Sequence, residues 1–216
     1  MRPPDDLRKA RVTVGIAVVT AATWLVSLSL PLDYLAVRGG FIPARLENGI
    51  WPGLPVWLTP LSATLLHGGF VHLLFNLLFL AICGRAVEPV LGGKGVAILY
   101  VAGAYAAAAA QWAAAQGAAP PAEVVPMIGA SGAVSATIGA YAILFGRNKV
   151  QAGGPLMSML LNAVWLAAAW VGLQLLIGYS DTFSAGPRTA IAAHIGGFVL
   201  GLVLAKPLLM LRWRRA

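Results

Sequence analysis

Apolar residues occur along this chain in six long runs that short polar or basic segments separate. We place the runs at about 12–30, 65–83, 94–115, 129–146, 155–178 and 189–210. Each is close to the roughly 20 residues that a helix needs to cross the hydrocarbon core of a bilayer. The pattern therefore predicts an all-α, polytopic membrane protein with six transmembrane helices.

The same pattern predicts one membrane domain at 12–211, between a short cytoplasmic tail at 1–11 and a basic tail at 212–216. The basic residues before the first run and the absence of a cleavage signal indicate a retained anchor. Of the 15 Lys and Arg residues, all but Arg38, Arg45 and Arg188 lie on the side that carries both termini. The positive-inside rule therefore predicts that both termini are cytoplasmic.

Composition supports the membrane assignment and excludes other classes. The chain is 59% hydrophobic and 10% charged, with a mean hydropathy of +0.82, whereas soluble domains carry roughly 25% charged residues. The net charge of +8 comes from loops and tails, and no basic patch interleaved with aromatic residues indicates nucleic-acid binding. The single cysteine, Cys83, excludes an internal disulfide and a multi-cysteine metal site.

The first outer loop, at about 31–64, is long and carries several apolar side chains, among them Phe41, Trp51 and Trp57. Trp is favoured at the membrane–water interface. Two interpretations stay open: a loop that lies in that interface, or an ordered connector without a functional part.

The fourth run opens with Gly129-Ala130-Ser131-Gly132, and Pro126 lies just upstream. This arrangement predicts that Ser131 lies in the first turn of a helix, where unpaired N–H groups and the helix dipole favour negative charge. A nucleophile whose reaction passes through an oxyanion would benefit from that place. The alternative is that these small residues serve only helix packing.

Four further polar residues lie in predicted spans. His72 and Asn76 are four residues apart and share one helix face, His67 precedes them, and His194 lies near the start of the sixth run. Such residues are packing groups in some proteins, but ionisable groups inside a membrane are costly and are usually functional.

Depth strengthens the functional interpretation. The second, fourth and sixth runs share one direction across the membrane. His72, Ser131 and His194 differ by roughly 8 Å at most along their predicted helices. We therefore expect these residues to lie at similar depth, nearer the outer face.

These side chains suit acyl transfer. A serine hydroxyl needs a base to become a good nucleophile, and His194 would serve Ser131. No Asp or Glu lies within the runs to complete a triad, so the pair would be a dyad. The backbone N–H of Ser131, the Asn76 amide and His72 would supply donors to an oxyanion. His67 has the right depth but no clear role.

In combination, the motifs resemble those of the rhomboid intramembrane serine proteases of bacteria. The resemblance implies that Ser131 is the nucleophile, that His194 is the base, and that His72 and Asn76 are oxyanion-hole donors. It also implies an integral protein of the bacterial inner membrane, and that Glu88 orders a neighbouring loop. The matching stretches are Gly129-Ala130-Ser131-Gly132, His67-Gly-Gly-Phe-Val-His72 with Asn76, Ala193-His194 with Gly197 and Gly201, and Gly84 to Glu88.

Two positions depart from the family pattern. The residue four after the nucleophile is usually aromatic and supports the catalytic histidine, but here it is Ser135. A Trp-Arg pair is common in the first loop, but here Trp57 is followed by Leu58. The first departure concerns the orientation of His194, and the second concerns the anchoring of the loop.

The resemblance implies that membrane lipids surround the enzyme and that transmembrane protein substrates enter sideways from the lipid, between the second and fifth spans. Trp165 and Trp170 either line that path or face lipid. No cofactor, metal or nucleic acid is expected.

Three rival functions stay open. A weak or inactive rhomboid-like protein would bind transmembrane segments without cleaving them. A metalloprotease would have to use His67, His72 and His194, although no His-Glu-x-x-His motif occurs. A transporter would be expected to show two related halves, which are not evident.

Overall fold

The computed structural model describes residues 10–47, 52–116, 122–145 and 190–213, together with residues 154, 157, 158, 161, 164, 165 and 168. Its main helices are α1 (Arg11–Ser27), α2 (Leu32–Gly39), α3 (Thr59–Ala63), α4 (Phe70–Phe79), α5 (Arg85–Gln116), α6 (Ser131–Phe145) and α7 (Ile191–Trp213). A π-helical turn, Leu80–Gly84, joins α4 to α5. Over the described residues there is no β-strand, only an isolated antiparallel bridge between Phe41 and Met127. The prediction of an all-α fold is confirmed.

Two helical stretches are long and apolar enough to cross a membrane, Phe70–Gln116 with 47 residues and Ile191–Trp213 with 23. Arg11–Ser27 and Ser131–Phe145 are apolar but shorter. Gly92, with a φ of 77°, divides the first stretch into two helices, which correspond to the second and third predicted spans. Most of the fifth run lies outside the described residues, so the number of six spans stays a prediction.

The predicted start of the second span is wrong. The apolar run predicts a helix from residue 65, whereas α4 begins at Phe70. Gly68 and Gly69 precede the helix, and Gly69 is extended, with φ 162° and ψ 170°. Glycine is a poor helix former because its backbone loses most entropy on ordering. His67 therefore lies before α4 instead of on it.

Helices α6 and α7 touch backbone to backbone because their contact positions are glycine and alanine. A Cβ added to Gly197 would overlap the carbonyl oxygen of Gly132, and one added to Gly201 would overlap that of Ala136. Gly103 of α5 packs on the same region, where an added Cβ would lie 2.6 Å from the Ala136 Cβ. Small residues let membrane helices approach this closely, so α5, α6 and α7 form the core of the bundle.

Glu88 of α5 is buried where α1 begins. Its carboxylate accepts hydrogen bonds from the backbone N–H groups of Val12 (2.9 Å) and Thr13 (2.8 Å), and from the Thr13 hydroxyl (2.7 Å). The first N–H groups of a helix lack partners within it, and the helix dipole favours an anion there. Glu88 therefore caps α1; the implication that it orders the neighbouring loop stays a prediction.

We expect Glu88→Ala to lower the free energy of unfolding by roughly 2–4 kcal/mol, because three donors lose a buried, charged acceptor. Thermal unfolding in detergent measures the change. Glu47→Ala is the control, since Glu47 lies exposed and bonds the exposed Gln116, so we expect at most about 1 kcal/mol. Equal losses in the two variants would contradict the capping role.

The first outer loop packs its apolar residues in two directions. Phe41, Ile42 and Ala63 are buried against the bundle, whereas Leu54 and Trp57 expose 42% and 64% of their surface. A buried inner face and an apolar outer face together fit the interpretation that this loop lies in the membrane interface, which stays a prediction.

Candidate active site

Ser131 is the first residue of α6, which confirms the prediction that it lies in the first turn of a helix. The chain reaches it through residues 126–130, which we call the nucleophile segment. Within this segment Gly129 has a φ of 115°, a left-handed conformation that glycine adopts at little cost. The segment turns sharply there, and α6 begins two residues later.

The structure places the side chain of His194, in the first turn of α7, against Ser131. Its Nε2 lies 2.6 Å from the Ser131 Oγ. When the neutral imidazole carries its proton on Nδ1, Nε2 accepts the serine O–H. The backbone contact between Gly132 and Gly197, each close in sequence to one of the pair, allows this approach.

His72 packs against Gly129. A Cβ added to Gly129 would lie 2.7 Å from the His72 Nε2 and 3.7 Å from the Ser131 Oγ, so the Nε2 edge of the ring faces this segment beside Ser131. The His72 Nδ1 accepts a hydrogen bond of 3.4 Å from the Gly68 N–H. Because Nδ1 accepts, the hydrogen of the neutral ring lies on Nε2, which makes Nε2 a donor.

Asn76 follows His72 by one turn of α4 and is buried. Its Nδ2 donates a hydrogen bond of 2.9 Å to the His72 carbonyl oxygen. The two residues share a helix face, as their spacing predicted. A side-chain amide carries two N–H hydrogens. This bond uses one of them, so the other can be donated to an oxyanion.

His67, which sequence reasoning left without a role, lies beneath the nucleophile segment. Its buried ring packs edge-on against His72 with 5.1 Å between ring centroids. Its Nε2 accepts a hydrogen bond of 3.4 Å from the Ala130 N–H, and its Nδ1 has no hydrogen-bond partner within the described part of the chain. His67 thus contacts both His72 and the residue before Ser131.

A narrow cleft adjoins Ser131 on the side of the first outer loop. Pro60, Thr64 and Met127 line it together with small residues of α5 and α7. Sequence reasoning did not single out Pro60 or Thr64, because both lie in the predicted first outer loop at about 31–64, where the sequence gives no sign that they meet Ser131. Over the described residues no group of three or more His, Cys, Asp or Glu side chains could hold a metal ion.

Several predicted residues lie outside this group. Glu88 is at the α1 end of α5, and Gly201 contacts Ala136 deeper in the bundle. Ser135 is fully buried one turn after Ser131. Trp165 is 56% exposed, and Trp170 lies outside the described residues.

We expect Gly129→Ala to reduce activity severely. The added methyl would lie 2.6 Å from the His72 Cε1, and the φ of 115° disfavours any residue with a Cβ. A misplacement of about 1 Å near reacting atoms can cost 10²-fold in rate. Cleavage of a reporter substrate measures this loss. Gly15→Ala is the control, because nothing lies within 4 Å of its added Cβ; equal activity of the two variants would contradict the prediction.

Comparison with known proteins supplies the family. The model of the Rhomboid domain family matches residues 55–211, a range that contains Ser131, His194, His72 and Asn76. No curated protein matches the chain. The chain belongs to the rhomboid family, whose members are generally intramembrane serine proteases.

Proposed function

We propose that this chain is an intramembrane serine endopeptidase that hydrolyses peptide bonds in or next to transmembrane segments through a Ser131–His194 dyad. The observation that carries the proposal is the 2.6 Å contact between the Ser131 Oγ and the His194 Nε2. A nucleophile and its base must lie within hydrogen-bond reach. Ser131 and His194 meet this requirement although they are 63 residues apart in sequence.

Acylation follows from this geometry. As the Ser131 Oγ attacks the carbonyl carbon of the scissile bond, His194 takes its proton and the carbonyl electron pair moves to oxygen. The new oxyanion accepts hydrogen bonds from His72 Nε2, the Asn76 amide and the Ser131 N–H. The C–N bond then breaks and His194 gives its proton to the leaving amine. Water, deprotonated by His194, releases the acyl group by the same steps.

The expected surroundings are those of a six-span protein in a bacterial inner membrane, with both termini in the cytoplasm. The imbalance of Lys and Arg between the two sides supports this orientation. The nucleophile then lies near the outer face, where water reaches it. Membrane lipids surround the bundle and contact its exposed apolar side chains.

Substrates would be single-span membrane proteins that enter from the lipid between the second and fifth spans. On α4, Phe70, Val71 and Phe75 expose 61%, 63% and 53% of their surface, so this helix presents an apolar face to lipid. A substrate helix must unwind before its peptide bond can be attacked, because its carbonyls are hydrogen-bonded within the helix. Helix-breaking residues near the cleavage site should therefore speed cleavage.

One observation favours a second candidate, a weak or inactive rhomboid-like protein that binds transmembrane segments. Ser135 lies where an aromatic residue usually supports the catalytic histidine, and it brings only a hydroxymethyl group to that buried position. Binding of a segment would need no nucleophile, so turnover separates the two candidates.

A reporter with one transmembrane segment, reconstituted with the full chain in vesicles, tests the proposal. We expect cleavage that a fluorophosphonate blocks and that a chelator leaves unchanged. Cleavage that stops only with the chelator would favour a metalloprotease. Binding of the reporter without cleavage would favour the inactive candidate.

A further inference from the structure

The first outer loop is joined to the nucleophile segment through the backbone. The Phe41 N–H donates to the Met127 carbonyl (3.0 Å), and the Met127 N–H donates back (2.7 Å). The Gly129 N–H donates to the Ala63 carbonyl at 2.8 Å. Three hydrogen bonds therefore tie the chain just before Ser131 to two separate positions of this loop, Phe41 and Ala63.

Arg45 lies inside the loop, four residues after Phe41, and is 5% exposed. Its Nη1 donates to the Val37 carbonyl at 3.3 Å, and its Nη2 donates to the Leu54 carbonyl. Val37 belongs to α2, and Leu54 lies on the return path toward α3. One guanidinium thus joins three parts of the loop that are separate in sequence.

The charge of Arg45 depends on these carbonyls. Burial lowers the pKa of its guanidinium, but arginine stays protonated in proteins, so a desolvated cation needs acceptors around it. The planar fork of guanidinium N–H groups can reach two carbonyls at once, whereas a lysine ammonium is a point charge on a flexible stem.

Within the described residues, few other hydrogen bonds join separate parts of the loop to one another. Its regular elements are short, since α2 has 8 residues, α3 has 5 and the turn that contains Arg45 has 4. Helices this short are not stable by themselves. Among the described residues, these other hydrogen bonds are the bond from the Leu54 N–H to the Arg38 carbonyl and the bond from the Ser62 hydroxyl to the Gly39 carbonyl.

We propose that Arg45 is a positioning residue, which holds the first outer loop in the shape that fixes the nucleophile segment and hence Ser131. The inference rests on the proposed function, because a fixed Ser131 matters only if Ser131 reacts. The hydrogen bonds of Arg45 go to the Val37 and Leu54 carbonyls and not to the dyad, so it would act through the Phe41–Met127 bridge. Sequence reasoning counted Arg45 only as one of the outer basic residues, because the sequence does not show that its side chain is buried.

Hydrogen exchange of the full chain tests the positioning without relying on catalysis. In Arg45→Met, which keeps an apolar stem but removes the donors, we expect the Phe41, Met127 and Gly129 amides to exchange roughly tenfold faster or more. Arg45→Lys should fall between Arg45→Met and the native chain. Arg38→Met is the matched control, since the Arg38 guanidinium stacks on Tyr34 at 3.9 Å, and it should exchange like the native chain.

Kinetics supply the second readout. Reporter kcat and the rate of fluorophosphonate labelling should fall about tenfold in Arg45→Met while KM changes little, because the substrate contacts remain. Each variant is measured at the same temperature interval below its own Tm. If Arg45→Met does not fold, the results for Arg45→Lys test the inference. Native exchange rates in both Arg45 variants, or faster exchange with native labelling, would overturn the inference. A native chain that is never labelled would instead refute the proposed function, while the exchange result would stand.

Discussion

Ser131→Ala is expected to abolish cleavage of a membrane reporter, with kcat/KM falling by about 10⁴-fold or more. His194→Ala should cause a loss of the same order, because the two side chains act as one unit and removing either disables both. The double variant should be no slower than either single one. The comparison is made in vesicles with purified full-length chains.

Ser135→Ala is the matched control for this first prediction. It removes a buried hydroxyl from the same helix, one turn beyond Ser131, and should keep most of the activity. All variants should unfold at temperatures close to that of the native chain. Substantial cleavage by Ser131→Ala, or an additive loss in the double variant, would refute the dyad.

Gly197→Ala is expected to remove most of the proposed activity, although Gly197 lies outside the Ser131–His194 pair. Its methyl group would overlap the Gly132 carbonyl oxygen, so α6 and α7 must separate. A shift of about 1 Å between a nucleophile and its base is enough to cost 10²-fold in rate. Because the helices lose packing as well, we expect a lower Tm.

Reporter kcat and the labelling rate of Ser131 measure this second effect. Gly15→Ala on α1 introduces the same methyl group into open space and should leave both rates unchanged. Native activity in Gly197→Ala would show that the close contact between α6 and α7 is not needed for the Ser131–His194 pair.

Local features of the site were readable from the sequence. Apolar run lengths predicted the helices that the structure describes as α1, α4, α5, α6 and α7, because a membrane demands long uninterrupted segments, but they did not predict the short helices α2 and α3. Pro126 and the motif that begins at Gly129 predicted that Ser131 lies at the start of a helix. The spacing of four residues predicted that His72 and Asn76 share one helix face. The meeting of Ser131 with His194 followed from similar depth on helices of one direction.

Apart from the Ser131–His194 pair, long-range partners were not readable. Which backbone N–H groups Glu88 accepts from, and which carbonyls Arg45 reaches, depend on segments that meet only in three dimensions. The predicted start of the second span is too early because the apolar run includes Leu65 and Leu66. The hydrophobic pattern alone does not show that Gly68 and Gly69 delay the start of the helix. The contact of His67 with Ala130 was not predictable either, because Ala130 lies 63 residues further along the chain.

The central claim, that the Ser131 hydroxyl is a nucleophile activated by His194, is tested most directly by mapping the fluorophosphonate adduct on the full-length chain by mass spectrometry. We predict a single adduct on Ser131 in the native chain, a much slower reaction in His194→Ala, and no adduct in Ser131→Ala. Reporter cleavage that continues while Ser131 stays unmodified, or an adduct at another residue, would contradict the claim.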